Sequence, residues 1–470
     1  MDRKYAWHKY SDSELQAVHA LSDQYREFLD NGKTERECVV QAVAAAKTAG
    51  YIDLKEAIKN GTALKAGDRV YYTHMDKSIA LFNIGTDDIE LGMNLLGAHI
   101  DSPRIDVKQN PQYEDSNLAF WDTHYYGGIK KYQWVAMPLA LHGVIAKKDG
   151  TIINVAIGEK ESDPVFCITD LLPHLGQEQM EKKGAKVIEG EALDLLIGSQ
   201  PVKDELKDGV TQFLNTILER DYNFTEEDLL SAELEIVPAG KARDMGFDRS
   251  MIIAYGQDDR VCAYTSLVAM LEVDSVTRTT CCLLVDKEEI GSVGATGMQS
   301  KFFENALAEL LELMGKTSPL SVRRALEKSR MLSSDVSAGY DPLYASAFEK
   351  KNASFVGMGV VFNKFTGSRG KSGSNDANAE YMGFIRRVMD DNNVTFQTAE
   401  LGRVDLGGGG TIAYIMALYG MDVIDCGVAV LSMHAPWEVT SKADIYEAKQ
   451  CYVAFLNATD KDLGYESANI

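Results

Sequence analysis

Five positions in this 470-residue chain combine metal-binding side chains with places where a strand is expected to end. They are His99, Asp258, Glu289, Asp335 and His434. Carboxylate oxygens mixed with imidazole nitrogens form a donor set that suits zinc, manganese or cobalt. Glu288 stands beside Glu289, so one glutamate can hold a metal while the other acts as a general base. The combination is typical of a metal-dependent hydrolase.

Some of these positions also have simpler explanations when each is taken alone. His99 and Asp101 share one face of an extended segment, where Asp101 can orient a ligating imidazole, but an ordinary polar strand end looks the same. Asp258 can bridge two metals, yet aspartate at a strand-to-helix junction is also a good helix cap. The Glu288–Glu289 pair can also belong to a solvated loop. Together the positions predict a dinuclear site.

The last two positions are the least specific singly. Asp335 can cap a turn, and His434 can be a buried imidazole with a hydrogen-bonding partner. Each follows an apolar run and begins a loop, as the other positions do. Three carboxylates and two imidazoles in one pattern are much harder to explain by coincidence than any one of them.

Other motifs near these positions permit two interpretations each. Gly407–Gly410 can form a backbone wall of a substrate cleft or a tight turn. Lys364, Arg369 and Lys371 make a basic loop that can receive a substrate carboxylate or be solvated. His174 can reach a site across a subunit contact or lie on the surface. We interpret the glycine run as a wall of the substrate cleft and assign no role to the basic loop or His174.

Strands and helices are expected to alternate along most of the chain, after two opening helices that begin with capping boxes. The boxes are Ser11 with Glu14, ahead of a helix to about Phe28, and Thr34 with Glu37, ahead of residues 39–47. Later strands are expected at Met93–Ile100, Met251–Tyr255, Thr279–Val285, Phe355–Phe362 and Val423–Leu431. Later helices are expected at Val261–Leu271, Lys301–Leu313, Asp376–Asp391 and Ala443–Leu456. This order predicts an α/β fold, with a mostly parallel sheet flanked by helices and functional residues at the carboxyl ends of its strands.

Residues 106–240 lack every one of these metal-binding positions and have a different pattern. Two apolar runs surround the turn residues 147–150, as in a hairpin. A charged helical stretch follows at 177–186, and a further helix is expected at 210–220. The expected organisation is therefore a catalytic domain formed by residues 1–105 and 241–470, interrupted by an inserted domain at 106–240.

Composition narrows the class of partners and the compartment. Lys plus Arg number 48 against 70 Asp plus Glu, a net charge of −22, which argues against binding to nucleic acid or an anionic membrane. The seven cysteines are odd in number and form no Cys-x-x-Cys pair, as expected of reduced thiols in the cytoplasm. The first residues lack the apolar core of a signal peptide, and no apolar run is long enough to span a bilayer.

The motifs taken together resemble the aspartyl aminopeptidase and aminopeptidase I family of dinuclear zinc exopeptidases. The similar stretches occur in the family's order over nearly the whole chain: Gly97–Arg104, Gln257–Arg260, Asp286–Ser292, Ser333–Asp335 and Met433–Glu438. The resemblance implies an aminopeptidase that removes N-terminal residues from peptides through a metal-activated water. It also implies that the inserted domain is small, β-rich and used for dimerisation, within a dodecameric homo-oligomer.

The resemblance further assigns roles to individual residues. It places one divalent metal, zinc by default, on His99, Asp335 and a bridging Asp258, and a second on Asp258, Glu289 and His434. Glu288 is implied as the general base, and Asp101 as the residue that orients His99. The family includes enzymes that prefer acidic N-terminal residues and others that prefer neutral ones, and this preference stays open.

Two rival functions remain at this point. Another dinuclear metallohydrolase, such as a deacylase or a carboxypeptidase, would use the same donor set without requiring a free substrate amine. A catalytically inactive metal-binding or scaffold protein is the second alternative. Glu288 argues against the second, because a purely structural metal site needs no general base.

Overall fold

The computed structural model describes residues 5–205 and 207–463, which divide into two compact units. The first unit comprises residues 5–101, 242–433 and 438–463. The second comprises residues 102–205, 207–241 and 434–437. The expected insertion, residues 106–240, lies inside the second unit, which also holds a short segment from much later in the chain.

The helices of the described residues begin close to their sequence signals. In chain order they are α1 (Asp12–Asn31), α2 (Glu35–Thr48), α3 (Leu54–Asn60), α4 (Gln177–Met180), α5 (Gly184–Val187), α6 (Gly209–Tyr222), α7 (Gln257–Glu272), α8 (Phe302–Leu313), α9 (Pro319–Glu327), α10 (Ala379–Asp391), α11 (Ala413–Ala417) and α12 (Lys442–Asn457). Both capping boxes are present, since Ser11 and Thr34 each exchange hydrogen bonds with the glutamate three residues on. These local signals therefore predict the N-caps of α1 and α2 correctly, although α2 begins at Glu35, ahead of the predicted residues 39–47.

The strands of the described residues form three sheets. In chain order they are β1 (Ile52–Asp53), β2 (Arg69–His74), β3 (Ser78–Asn83), β4 (Met93–His99), β5 (Arg104–Asp115), β6 (Leu118–Tyr126), β7 (Leu139–Ala146), β8 (Ile152–Ile157), β9 (Leu195–Gly198), β10 (Ala232–Pro238), β11 (Arg243–Met245), β12 (Met251–Ala254), β13 (Thr279–Val285), β14 (Arg330–Ser333), β15 (Ser337–Ala338), β16 (Val360–Asn363), β17 (Phe396–Thr398), β18 (Asp422–Gly427), β19 (Ala429–Leu431) and β20 (Glu438–Ser441). The sheets have nine, six and five strands.

The nine-stranded sheet belongs to the first unit and has the order β1-β2-β3-β13-β4-β14-β18-β16-β17. Its central strands β13, β4, β14 and β18 run parallel, whereas β3 and β16 pair antiparallel with their inner neighbours. Successive residues of β4 point to opposite faces: Leu96 joins one apolar core and Leu95 the other. Helices α1, α2, α7, α10 and α12 contribute to the first core, and α3, α8, α9 and α11 to the second. The expected α/β class is confirmed.

The five-stranded sheet, in the order β11-β12-β20-β19-β15, was not expected from the sequence. The predicted strand Met251–Tyr255 belongs to it as β12, so it is not a strand of the parallel sheet. The predicted strand Val423–Leu431 is two strands in two different sheets, β18 and β19. They divide at Gly427, where an added Cβ would come within 1.9 Å of the Asp335 carbonyl oxygen. The predicted strand Phe355–Phe362 is likewise wrong in extent, because only Val360–Asn363 pairs.

The second unit is built on the six-stranded sheet, in which every neighbouring pair is antiparallel. Its order is β8-β7-β10-β5-β6-β9. Strands β7 and β8 form the expected hairpin, closed by a hydrogen bond from the Lys147 N–H to the Thr151 carbonyl. The charged stretch at 177–186 forms only the four-residue helices α4 and α5, whereas α6 spans the predicted 210–220. The unit is thus β-rich, and its use in dimerisation stays a prediction.

Two further expectations, reduced cysteines and no run long enough to span a bilayer, concern the chain as a whole. All seven cysteines are free thiols, and every one except Cys167 is buried. Among the helices of the described residues, none combines the length and apolar character that crossing a bilayer requires.

Asp425 is a carboxyl group enclosed in the nine-stranded sheet, with 2% of its surface exposed. Ser333 donates its hydroxyl to Asp425 Oδ1 at 3.2 Å from the neighbouring strand. Burial raises the pKa of Asp425 to about 7, although hydrogen bonds from Thr411 and Ser333 oppose the shift. Because this pKa exceeds that of the unfolded chain, the carboxyl stabilises the fold at low pH, and the stability is lost as the pH rises through about 7.

We expect Asp425→Asn to lessen the decrease in unfolding free energy between pH 5 and 8. The decrease should be smaller in the variant by about 3 kcal/mol. Native Asp425 retains its proton over about two pH units in which the unfolded chain does not, and each pH unit contributes about 1.4 kcal/mol. Urea unfolding in metal-free buffer at several pH values measures it. The exposed Asp390→Asn is the control and should follow the unmodified protein. Parallel pH curves for Asp425→Asn and the unmodified protein would contradict the expectation.

Candidate metal centre

Three of the predicted site positions lie at the carboxyl ends of adjacent parallel strands. His99 is the last residue of β4, and Asp335 follows β14 by two residues. After β13 the chain passes through Asp286 and Lys287 into a short 3-10 helix at Glu288–Ile290. Since the strand order is β13-β4-β14, these residues meet at one edge of the sheet, as the α/β pattern predicts.

Asp258 reaches the same site from the other sheet of this unit. It follows β12 and lies in the first turn of α7, where the backbone of Asp258 and Asp259 has non-helical dihedral angles. The regular part of α7 therefore begins only after these two residues, and Asp258 stands at the kink that precedes it. His99 Nε2 is 3.2 Å from Asp258 Oδ1, which brings the two sheets together at one pair of side chains.

The orientation of the His99 ring leaves one nitrogen for a metal. His99 Nδ1 is 3.0 Å from the backbone carbonyl of Asp101 and 3.4 Å from its carboxylate. A carbonyl only accepts hydrogen bonds, so Nδ1 carries the proton. Nε2 faces Asp258 and lies 3.8 Å from Glu288 Oε2, and it is the nitrogen that can offer a lone pair to a metal once it is deprotonated. Protonation fixed in this way is usual for a metal-binding histidine.

The carboxylate of Asp101 makes contacts that the sequence did not indicate. It is fully buried, and its Oδ1 accepts the Glu288 N–H at 3.1 Å while its Oδ2 accepts the Glu289 N–H at 3.2 Å. Lys287, just before the pair, has a φ of 69°, in the left-handed region. Asp101 therefore connects the His99 strand end to the turn that carries both glutamates.

Two groups of side chains in this unit could each hold a cation. His99, Asp258 and Asp335 form one, and His99, Glu288 and Glu289 form the other; within each group the ligand atoms lie within 4.8 Å of one another. One imidazole with several carboxylates is a donor set that zinc accepts. Fully buried Asp259 adds another acid beside them. Five acids close together, with Asp258 and Asp259 buried and the other three partly buried, fit a bound cation that compensates their charge.

The protonation of these groups reflects the crowding of like charges. Burial raises the pKa of Asp335 well above its ordinary value, and the nearby carboxylate of Asp259 raises it further. Burial alone would lower the pKa of His99, but hydrogen bonds to Asp101 and Asp258 raise it well above the ordinary value. Without a cation the cluster thus retains protons, which metal binding must displace.

His434 is placed by the structure in the second unit, with residues 435–437. Its Nδ1 is 3.0 Å from the carbonyl oxygen of Gly128 and therefore donates to it, leaving Nε2 available as in His99. Its backbone has a φ of 64°, an uncommon conformation for a residue other than glycine. The role of His434 as a metal ligand stays a prediction.

The basic loop and the glycine run are now better defined. Lys364 and Lys371 both bind the carboxylate of Asp376, at 2.9 and 2.8 Å, so one negative charge is shared between two lysines. In the glycine run, an added Cβ on Gly407 would lie 1.8 Å from the Leu401 carbonyl oxygen, and one on Gly408 would lie 2.1 Å from that of Gly367. Close backbone packing explains Gly407 and Gly408, whereas a Cβ on Gly410 would meet no atom within 4 Å. His174 lies exposed in a short 3-10 helix.

Comparison with known proteins identifies the family. The model of the aminopeptidase I zinc metalloprotease (M18) family matches residues 28–456. A probable M18 family aminopeptidase 1 of Clostridium acetobutylicum is 59% identical over 455 residues, covering 97% of this chain and 98% of the relative.

Solved structures agree with this family. The crystal structure of aminopeptidase I from Clostridium acetobutylicum has a TM-score of 0.90 at 57% identity, covering 97% of this chain and all of that one. The crystal structure of an M18 family aminopeptidase from Thermotoga maritima has a TM-score of 0.93 at 43% identity, covering 98% of this chain and all of that one. Together with the metal-binding groups at the sheet edge, these matches show that the chain belongs to the aminopeptidase I (M18) family of zinc metalloproteases and is a metallo-aminopeptidase.

Proposed function

We propose that this aminopeptidase works with two divalent metal ions in each subunit, both zinc. The first would be held by His99, Asp335 and Asp258, and the second by Asp258, Glu289 and His434, so that Asp258 would be the ligand common to both. The cluster of His99 with Asp258 and Asp335 supports the first set, together with the family's dependence on zinc. The second set rests on the resemblance of the motifs.

The metals, when bound, supply Lewis acidity that makes a water molecule nucleophilic and polarises the scissile carbonyl. Glu288 takes the proton of the attacking water and passes it to the departing amine. Its Oε2 lies 3.8 Å from His99 Nε2, beside a proposed ligand. Asp101 holds the backbone N–H groups of Glu288 and Glu289, and thereby sets where the general base lies.

The proposed substrates are peptides with a free N-terminus, because binding the α-amino group at the centre restricts cleavage to the first residue. The observation that carries this proposal is the meeting of His99, Asp258 and Asp335 beside Glu288 in a chain of the M18 family. A deacylase or carboxypeptidase with the same metals would not require that amine.

A peptide panel that varies only the first residue tests the proposed substrate class. Each peptide is supplied free and N-acetylated, and release of the first amino acid is measured by chromatography. We expect the free peptides to release their first amino acid at least 100-fold faster than the acetylated forms. A factor of about 100 is the effect of losing one hydrogen bond to a charged group, here the α-amino group. The ranking of acidic against neutral first residues then gives the N-terminal preference.

Each outcome of the panel decides between functions. Equal cleavage of free and acetylated peptides would contradict the proposal and favour a deacylase or an endopeptidase. Release from the carboxyl end instead would indicate a carboxypeptidase. A carboxyl-amidated copy of one peptide serves as the control, because amidation changes the far terminus and should leave aminopeptidase turnover unaltered.

We further propose that the chain forms a homo-oligomer through its second unit and acts in the cytoplasm. That unit exposes large apolar side chains, including Leu171, Leu172, Leu175 and Met180, which would be covered in an assembly. Yeast mApe1, whose solved structure has a TM-score of 0.76 at 18% identity, is a dodecamer. The seven free thiols support a reducing compartment.

A further inference from the structure

Glu438, the first residue of β20, is a buried carboxylate outside the proposed ligand set. Only 1% of its surface is exposed. Its Oε2 accepts the backbone N–H of Asp258 at 3.0 Å. Strand β20 pairs antiparallel with β12, so that Glu438 lies opposite Ala254, just before the turn that leads to Asp258. Glu438 thus reaches the turn from the neighbouring strand.

Gln257 connects the same turn to the sheet from a second side. Its Nε2 donates to the Glu438 carbonyl at 2.6 Å and to the Ile252 carbonyl at 3.2 Å. Its Oε1 accepts the Tyr25 hydroxyl at 3.4 Å. Burial raises the pKa of Tyr25, and the nearby Glu438 raises it further, which agrees with this arrangement. The residue before Asp258 is therefore fixed to β12, β20 and α1.

The backbone at this turn explains why an acceptor is needed. Asp258 has φ and ψ of −82° and 108°, and Asp259 has −114° and 26°, so the chain does not follow regular helical geometry here. A buried N–H at such a point must find an acceptor outside the helix. A carboxylate makes a stronger bond than a neutral acceptor, but its burial is costly. A buried carboxylate at this position therefore indicates that the backbone of the turn is held by a strong hydrogen bond.

We propose that Glu438 is a positioning residue for Asp258: by holding the Asp258 N–H, it fixes the direction in which the Asp258 carboxylate faces His99 and the metals. The inference rests on the proposed function, in which Asp258 is the bridging ligand. Partners that orient a metal ligand typically alter metal affinity or activity by about 10- to 100-fold when they are removed. Glu438 should therefore act on both without touching metal or substrate.

The inference is tested by titrating the full-length protein and the Glu438→Ala variant with zinc and measuring the bound zinc by equilibrium dialysis. We expect the zinc Kd of the variant to rise by about 10- to 100-fold. At saturating zinc its kcat should fall by a similar factor while KM stays nearly constant. Cobalt provides a further readout, because its visible absorption reports ligand geometry and should change in the variant.

Asp444→Ala is the matched control. Asp444 is also fully buried, and its carboxylate accepts the backbone N–H groups of Gly357 and Gly359 at 2.7 Å, away from the proposed ligands. A purely structural role for Glu438 predicts that both variants lose stability and keep the zinc Kd, the cobalt spectrum and kcat of the unmodified protein. That result would overturn the inference.

Two further variants keep the outcome interpretable. Glu438→Gln retains an oxygen that can accept the Asp258 N–H, so it should recover most of the affinity and kcat, and it serves if Glu438→Ala does not fold. Equal losses of zinc affinity and kcat in Glu438→Ala and Glu438→Gln, or no loss in either, would contradict a role through this hydrogen bond. Asp258→Asn tests the proposed function itself: unaltered zinc affinity there would mean that the ligand assignment, rather than Glu438, is wrong.

Discussion

Glu288→Gln is expected to lower kcat by about 10³-fold at saturating metal, within the usual range for loss of a general base. The amide has the size of the carboxylate but cannot take the proton of the attacking water. Asp101 accepts the backbone N–H of residue 288, which the substitution leaves in place, so the turn should keep its shape. Steady-state hydrolysis of a good peptide substrate, with metal content measured on the same sample, checks the result.

Glu289→Gln is the matched comparison for this variant. The two glutamates are adjacent and have backbone N–H groups held by the same Asp101 carboxylate, but only Glu289 is proposed as a ligand. We expect Glu289→Gln to weaken metal binding and to regain activity partly when metal is added in excess. Glu288→Gln should keep its metal and stay inactive. Loss of metal from Glu288→Gln but not from Glu289→Gln would show that the two roles are exchanged.

Removal of the metals is expected to abolish activity and to lower the free energy of unfolding. Bound ions stabilise by mass action, by about 4 kcal/mol when free metal is 1,000 times Kd. The effect should lessen as the pH falls, because protons compete with the metal for His99 and the carboxylates. Burial and then nearby Asp259 raise the pKa of Asp335, and against the effect of burial Asp101 and Asp258 raise the pKa of His99. Urea unfolding with chelator and with graded zinc, at pH 7.5 and 6, measures both effects.

Asp258→Asn controls for unspecific effects of chelator and zinc. Because it removes a proposed ligand shared by both metals, its unfolding free energy should depend little on zinc concentration. A chelated protein that retained full activity and stability would contradict a metal-dependent mechanism. Restoration of activity by zinc in the unmodified protein, but not in the variant, would link the loss to this centre.

Much of the architecture could be predicted because its signals are local. The capping boxes at Ser11 and Thr34 need only residues three positions apart, and both begin helices as expected. The ends of β4, β13 and β14 were predicted from apolar runs, and parallel pairing then brings His99, Glu288 and Asp335 to one edge. Residue types at these ends were enough to indicate metal chemistry and the family.

Tertiary structure alone decided what depends on contacts between distant segments. Only the folded chain shows that Asp258 comes from a second sheet, that Val423–Leu431 divides between two sheets, and that Glu438 holds the Asp258 N–H across 180 positions of sequence. A run of apolar residues predicts that a strand is buried, but it does not predict which strand lies beside it. That choice is made by packing and hydrogen bonding of the whole fold, and the geometry of the metal centre is set by the same choice.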